Sequence, residues 1–159
     1  MITPSEVINL ALTRNVTVEH FTQTDINAAV WKYVRGYLGT ELYAAIIDDL
    51  KTYEDFIKDY IKPVLAYGIV CDTFNRMASE VSDRGVVSLL SEGATVLDSD
   101  GRARTKDEFL EVLNILLEKM ITHCEEEKAD DNVLFEDYED QGFDYTGFGG
   151  GDYINRNQL

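Results

Sequence analysis

The chain has 159 residues, 45% hydrophobic and 28% charged, with 30 acidic against 14 basic side chains and a formal net charge of −16. That length supports one domain with a real core and leaves too little for two. A sequence pI near 4.3 argues against a nucleic-acid-binding surface and against anionic membrane, since both need clustered Lys and Arg; acidity fits plain solubility, or work beside DNA without adhering to it.

The N-terminus, Met1-Ile2-Thr3-Pro4-Ser5-Glu6, carries neither a basic nor an apolar leader region, so no signal peptide is expected. Nor does any apolar stretch approach the length of a bilayer span. Thr3-Pro4-Ser5-Glu6 is a capping box with proline at the first helical position, and it predicts a helix that fades by Asn15. Asn15 to Thr24 is a polar connector holding Phe21. Ile26, Ala29, Val30, Tyr33 and Tyr37 recur at three- and four-residue spacing and predict a second helix over about residues 25–38. Gly39 is its expected stop. Thr40 is expected to cap a third helix with Leu42, Ala45, Ile46 and Leu50 inward.

Thr52-Tyr53-Glu54-Asp55 restarts helix, continued by Phe56, Ile57, Tyr60 and Ile61. Pro63 falls inside the pattern and predicts a kink or a break and restart near Lys62. The helix resumes with Val64, Leu65, Tyr67, Ile69, Phe74 and Met77, and Ala66, Gly68 and Cys71 make part of it thin-walled for close packing. Gly85 ends this region. Val86 to Leu90 and Ala94 to Leu97 read as a small hairpin or extended excursion around Ser91-Glu92-Gly93. Asp98-Ser99-Asp100-Gly101 reads as a turn. Thr105 and Glu108 form a second capping box, and Phe109, Val112, Leu113, Leu116, Leu117, Met120, Ile121 and Cys124 lie on one helical stripe. Glu125-Glu126-Glu127 is the wrong sign for a helix C-terminus and predicts fraying.

From Glu125 to Leu159 no period is sustained, and the segment becomes Glu/Asp-rich, then Gly- and aromatic-rich. It reads as a tail that is disordered alone and orders on another molecule. Candidate partner contacts are Phe135, Tyr138, Phe143, Tyr145, Phe148 and Tyr153 in the tail, with Val87, Leu89 and Leu90 in the excursion. The expected fold class is mainly α: a helical bundle of about five helices, a β-hairpin-like excursion at about residues 86–97, and an extended C-terminal arm. The body is expected over residues 1–124 and the docking tail over 125–159.

Candidates for chemistry are few. Cys71 and Cys124 both sit in apolar helical patterns and read as small hydrophobes in a reducing compartment. Asp98-Ser99-Asp100-Gly101 lacks the third ligand before its glycine, and Asp107 stands where an EF-hand calcium loop needs glutamate. Neither His20 nor His123 has a Cys or His at zinc-site spacing, and His123 and Cys124, adjacent on a helix, point about a hundred degrees apart. The Gly147 to Gly151 run has no helix behind it to cradle phosphate. No enzyme, cofactor or metal site is expected. Trp31 with Lys32, Tyr33 and Arg35 is the most basic and aromatic neighbourhood, expected in the core or at a subunit contact.

The order of the capped first helix, Asp25-Ile26-Asn27-Ala28-Ala29-Val30-Trp31-Lys32-Tyr33-Val34, Leu38-Gly39-Thr40-Glu41-Leu42-Tyr43, Tyr53 to Ile61, Lys62-Pro63-Val64-Leu65-Ala66-Tyr67 and Arg84-Gly85-Val86-Val87 resembles the head–tail connector (adaptor or ring) proteins of tailed bacteriophages, especially those of crAss-like phages. The similarity covers about residues 1–124. The resemblance implies a virion structural protein, assembled in the host cytoplasm as a homo-oligomeric ring of about twelve copies. Its partners would be the portal protein, further tail or ring proteins, and double-stranded DNA passing without specific binding. It implies no catalytic residues. The Gly-rich length after Gly142 departs from the family pattern. The alternative is a small acidic regulatory binder, a DNA mimic or a sequestering factor, whose carboxylates would need to line a rigid face.

Overall fold

The computed structural model describes residues 1–12, 18–79 and 99–140. Within them the chain forms five helices. Helix α1 is Pro4–Ala11. Helix α2 covers residues 23–38 and changes from α (Gln23–Ala29) to a wide π stretch (Val30–Arg35) and back to α (Gly36–Leu38). Helix α3 is Thr40–Asp48. Helix α4 covers residues 54–79, with a π stretch at Ile57–Ile61 inside it. Helix α5, Ser99–Ala129, is 31 residues long. No strand occurs among the described residues. The excursion expected at 86–97, with Val87, Leu89 and Leu90, lies outside them.

Local signals account for the starts of α1 and α2. At α1 the Glu6 amide donates to Thr3 Oγ1 and the Thr3 amide donates to Glu6 Oε2 at 2.8 Å, so the capping box is complete. A second box stands at α2, where Asp25 and Thr22 exchange the same two bonds, so this helix begins earlier than its apolar stripe indicates. Gly39 does stop α2, with φ 83°, a conformation that costs other residues a Cβ clash. Thr40 is the first residue of α3 rather than its cap; Gly39 takes the cap position, with no side-chain bond.

Helix α4 is the centre of the molecule, with α1, α2 and α5 packed on it. Pro63 does not break it. The Lys62 amide donates to the Ile57 carbonyl, five residues back instead of four, and this wider turn accommodates a residue that has no N–H and a bulky ring. Val64, Leu65, Ala66, Ile69 and Val70 are wholly buried behind it. The thin wall expected at Gly68 is used by Tyr33: a Cβ added to Gly68 would stand 2.5 Å from Tyr33 Cδ2. The Tyr33 hydroxyl donates to Asp72 Oδ1 at 3.0 Å, so the ring is fixed at both ends. Burial pushes its phenol above the ordinary tyrosine range.

Three ion pairs among the described residues tie α1 and α2 to α4: Lys32–Asp72, Lys62–Glu6 and Arg76–Asp25. Lys62 pairs with Glu6 of α1, and this contact, together with the Thr3 cap, holds the Glu6 carboxyl below its ordinary range. Arg76 donates to Asp25 Oδ1 at 3.1 Å, to Asp25 Oδ2 at 2.7 Å and to the His20 carbonyl at 2.7 Å. The guanidinium lowers Asp25 to about 2 against the opposing effect of burial.

Helix α5 departs from its expected limits at both ends. It begins at Ser99, so Asp100 and Gly101 lie in its first turn instead of a free-standing turn. Thr105 does not cap: its hydroxyl donates to the Gly101 carbonyl, the back-bond of a mid-helix threonine. Leu113, Leu117, Met120, Ile121 and Cys124 are buried on one stripe, whereas Val112 is exposed. The helix continues through Glu125-Glu126-Glu127 to Ala129. After the turn at Asp130 and Asp131 a short 3-10 helix, Val133–Phe135, brings the chain back along the bundle. Among the described residues, no helix is long and apolar enough to cross a membrane.

Candidate interaction surface

The residues around α5's C-terminal end form a built structure rather than the start of a loose tail. Phe135 meets Phe56 edge-on at 5.1 Å between centroids, Tyr53 at 6.2 Å and His123 at 5.4 Å. His123 in turn lies flat on Tyr60, 4.3 Å away with 7° between planes. Two side chains hold the returning backbone: the Tyr53 hydroxyl donates to the Leu134 carbonyl at 2.8 Å and Lys128 Nζ donates to the Tyr138 carbonyl at 2.6 Å. Asn132 caps the short helix, accepting from the Leu134 amide at 3.1 Å. Phe135 and Tyr138, expected at a partner interface, are therefore buried in the chain's own core, at 4% and 3% exposure. Phe135 fills a gap beside Tyr53 and Phe56 that the helices leave open, and burial there is available without a partner. The other tail candidates, Phe143, Tyr145, Phe148 and Tyr153, lie outside the described residues.

Around that turn is a cleft of about 320 Å³ lined by Lys128, Asp131, Asn132, Val133 and Glu136. Val133 is 78% exposed beside it. Asp131 has φ 57°, a left-handed conformation that a short polar side chain tolerates. Glu125 and Glu126, exposed near the C-terminal end of α5, add negative charge to this end of the helix, whose last carbonyls accept from the Asp130, Asp131 and Asn132 amides.

The basic and aromatic group singled out in the sequence is elsewhere and divided, with Tyr33 in the core and Trp31 facing outward. Trp31 is 62% exposed, not core. The guanidinium carbon of Arg35 sits 3.9 Å from the centre of its ring, a cation–π stack of about 0.5–1 kcal/mol at an exposed position. Lys32 reaches across to Asp72 of α4 at 2.7 Å. Trp31 and Arg35 both belong to the π stretch of α2, whose inner face is already complete with Val30, Tyr33 and Val34. The sequence carried a signal for this: residue 31 lies off the stripe made by residues 26, 30, 33 and 37.

Neither cysteine is set up as a nucleophile. Burial pushes both thiols up to about 12, with Asp72 adding to the effect at Cys71 and Glu125 at Cys124. Among the described residues, no group of three or more His, Cys, Asp or Glu could hold a metal ion. Among the described residues the surface carries the Trp31–Arg35 stack and the cleft at Asp131 and Glu136 with Val133 at its edge. No protein-family model, curated protein or solved structure matches this chain.

Proposed function

We propose that the chain is a structural subunit of a head–tail connector ring in a tailed-phage virion, joining portal to tail around the DNA channel. The observation that carries this reading is the order of elements: a capped first helix, a second ending on Gly39, a third directly behind it, a long fourth through Pro63, and a long fifth. That order is the one on which the resemblance to connector proteins rests. The charge of −16 supports it too, since an acidic wall repels passing DNA. A further support is a core completed within the subunit, which leaves Trp31 and Val133 to contacts outside it.

In this reading the helical body makes the ring, and the aromatic and Gly-rich residues beyond 140 fasten it to the portal. The test is electron microscopy and mass measurement of the chain mixed with the portal of its own phage. A ring on the portal is the expected result. A chain shortened after Asp140 should keep its helical circular dichroism and lose portal binding. A full-length chain that forms no ring on the portal and stays monomeric at high concentration refutes the reading.

A further inference from the structure

The two surface features lie at opposite ends of the same helical layer. Lys32, next to Trp31, is fixed to Asp72 of α4, while Tyr60 of α4 is stacked on His123, close to the acidic end of α5. Asp72 and Tyr60 are twelve residues apart in one helix, which places the two levels about 18 Å apart along its axis. One end presents a protruding indole with a guanidinium stacked on it. The other presents a cleft with carboxylates and an exposed apolar rim.

We propose that Trp31 and Arg35 of one copy dock in the cleft at Lys128, Asp131, Asn132, Val133 and Glu136 of the next copy. The proposal rests on the ring reading and names the surfaces that would form its subunit contact. The pairing is chemical as well as geometric. The ring of Trp31 covers Val133, and its indole N–H and the Arg35 guanidinium donate to carboxylates of Asp131 and Glu136. Among the described residues neither carboxylate is in an ion pair, and Arg35 has no carboxylate partner. A cation arriving at the C-terminal end of α5 also offsets the local excess of negative charge left by Glu125 and Glu126. Trp and Arg are the residue types that carry most binding energy when such a pocket closes over them. Because the surfaces are unlike and at opposite ends, the contact is head-to-tail, the kind that closes into a ring when the rotation allows.

A second copy is favoured over an unrelated acidic partner because the complementary surface is present on this same chain. Only one tryptophan exists, so the full-length chain reports on its own contact. Its fluorescence should shift to the blue and become protected from acrylamide as oligomers form with rising concentration, in parallel with mass from sedimentation velocity. Two charge reversals, Arg35→Glu and Glu136→Lys, should each weaken self-association by about tenfold or more. Mixed in equal amounts they should associate again, since every junction in an alternating assembly is then complementary. Circular dichroism of each variant checks that the body is intact. Oligomers that form with Trp31 emission unchanged, reversals that associate like the parent chain, or a mixture that does not recover each overturn this contact and leave the ring reading standing. A parent chain that stays monomeric both alone and with the portal overturns both.

Discussion

Replacing Phe135 by alanine removes a ring held edge-on by Tyr53, Phe56 and His123 and only 4% exposed. The lost transfer energy plus the cavity left among three fixed rings comes to about 3–5 kcal/mol. Little relaxation is available, because the backbone on one side is tied by the Tyr53–Leu134 hydrogen bond and on the other by Lys128 and the Tyr138 carbonyl. For a chain of this length the midpoint of thermal unfolding should fall by roughly 6–20 °C. Urea unfolding followed by circular dichroism measures the change directly, and the slope with urea should be preserved if only stability has changed. A loss below about 1 kcal/mol would mean that residues 130–140 are not part of the folded body and that the chain leaves it at the end of α5. The same substitution tests whether the folded body extends beyond Cys124 to Tyr138, where Phe135 and Tyr138 are buried.

Gly68→Ala should destabilise by about 1–3 kcal/mol, although alanine is the better helix former by about 1 kcal/mol. The new methyl falls 2.5 Å from Tyr33 Cδ2, in a ring fixed through Asp72; a more stable variant in urea unfolding would refute that packing. The Asp25 carboxyl is at about 2 when folded against an ordinary value of 3.8. Its contribution is therefore full above about pH 4 and is lost as pH falls from about 4 to 2; with solvent screening it is worth about 1 kcal/mol. Arg76→Ala should remove that part of the acid dependence, which urea titrations at pH 3 and pH 6 would reveal. Trp31→Ala should leave the unfolding free energy of the isolated chain within about 1 kcal/mol of the parent, since only the exposed stack with Arg35 is lost. A larger loss would place Trp31 in the core after all.

The helical character was legible because it depends on neighbours in sequence. The Thr3–Glu6 box, the stripe of Ile26, Val30, Tyr33 and Tyr37, the stop at Gly39 and the stripe from Leu113 to Cys124 are all local patterns, and all are present in the fold. What misled the reading was also local. Pro63 predicts a kink or a break because proline disrupts a four-residue ladder, but with a five-residue bond just before it the helix continues through it. Thr105 and Glu108 looked like a cap because the spacing is right, although helix had already begun at Ser99.

The candidate surface was legible only in part. Trp31 stood out by composition, yet whether it faced inward depended on what lay against α2. Phe135 and Tyr138 stood out as aromatics in an acidic, aperiodic stretch, and the destination of Phe135 depended on a gap beside Tyr53 and Phe56. By itself the sequence determined the helical character, the Thr3 cap and the acidity, because these follow from spacing and charge along the chain. Only the tertiary structure decided that α4 runs unbroken at the centre, that α5 extends to Ala129, and that Phe135 and Tyr138 belong to the core while Trp31 does not. Those outcomes rest on contacts between residues distant in sequence, where burial against a particular neighbour outweighs local propensity and charge.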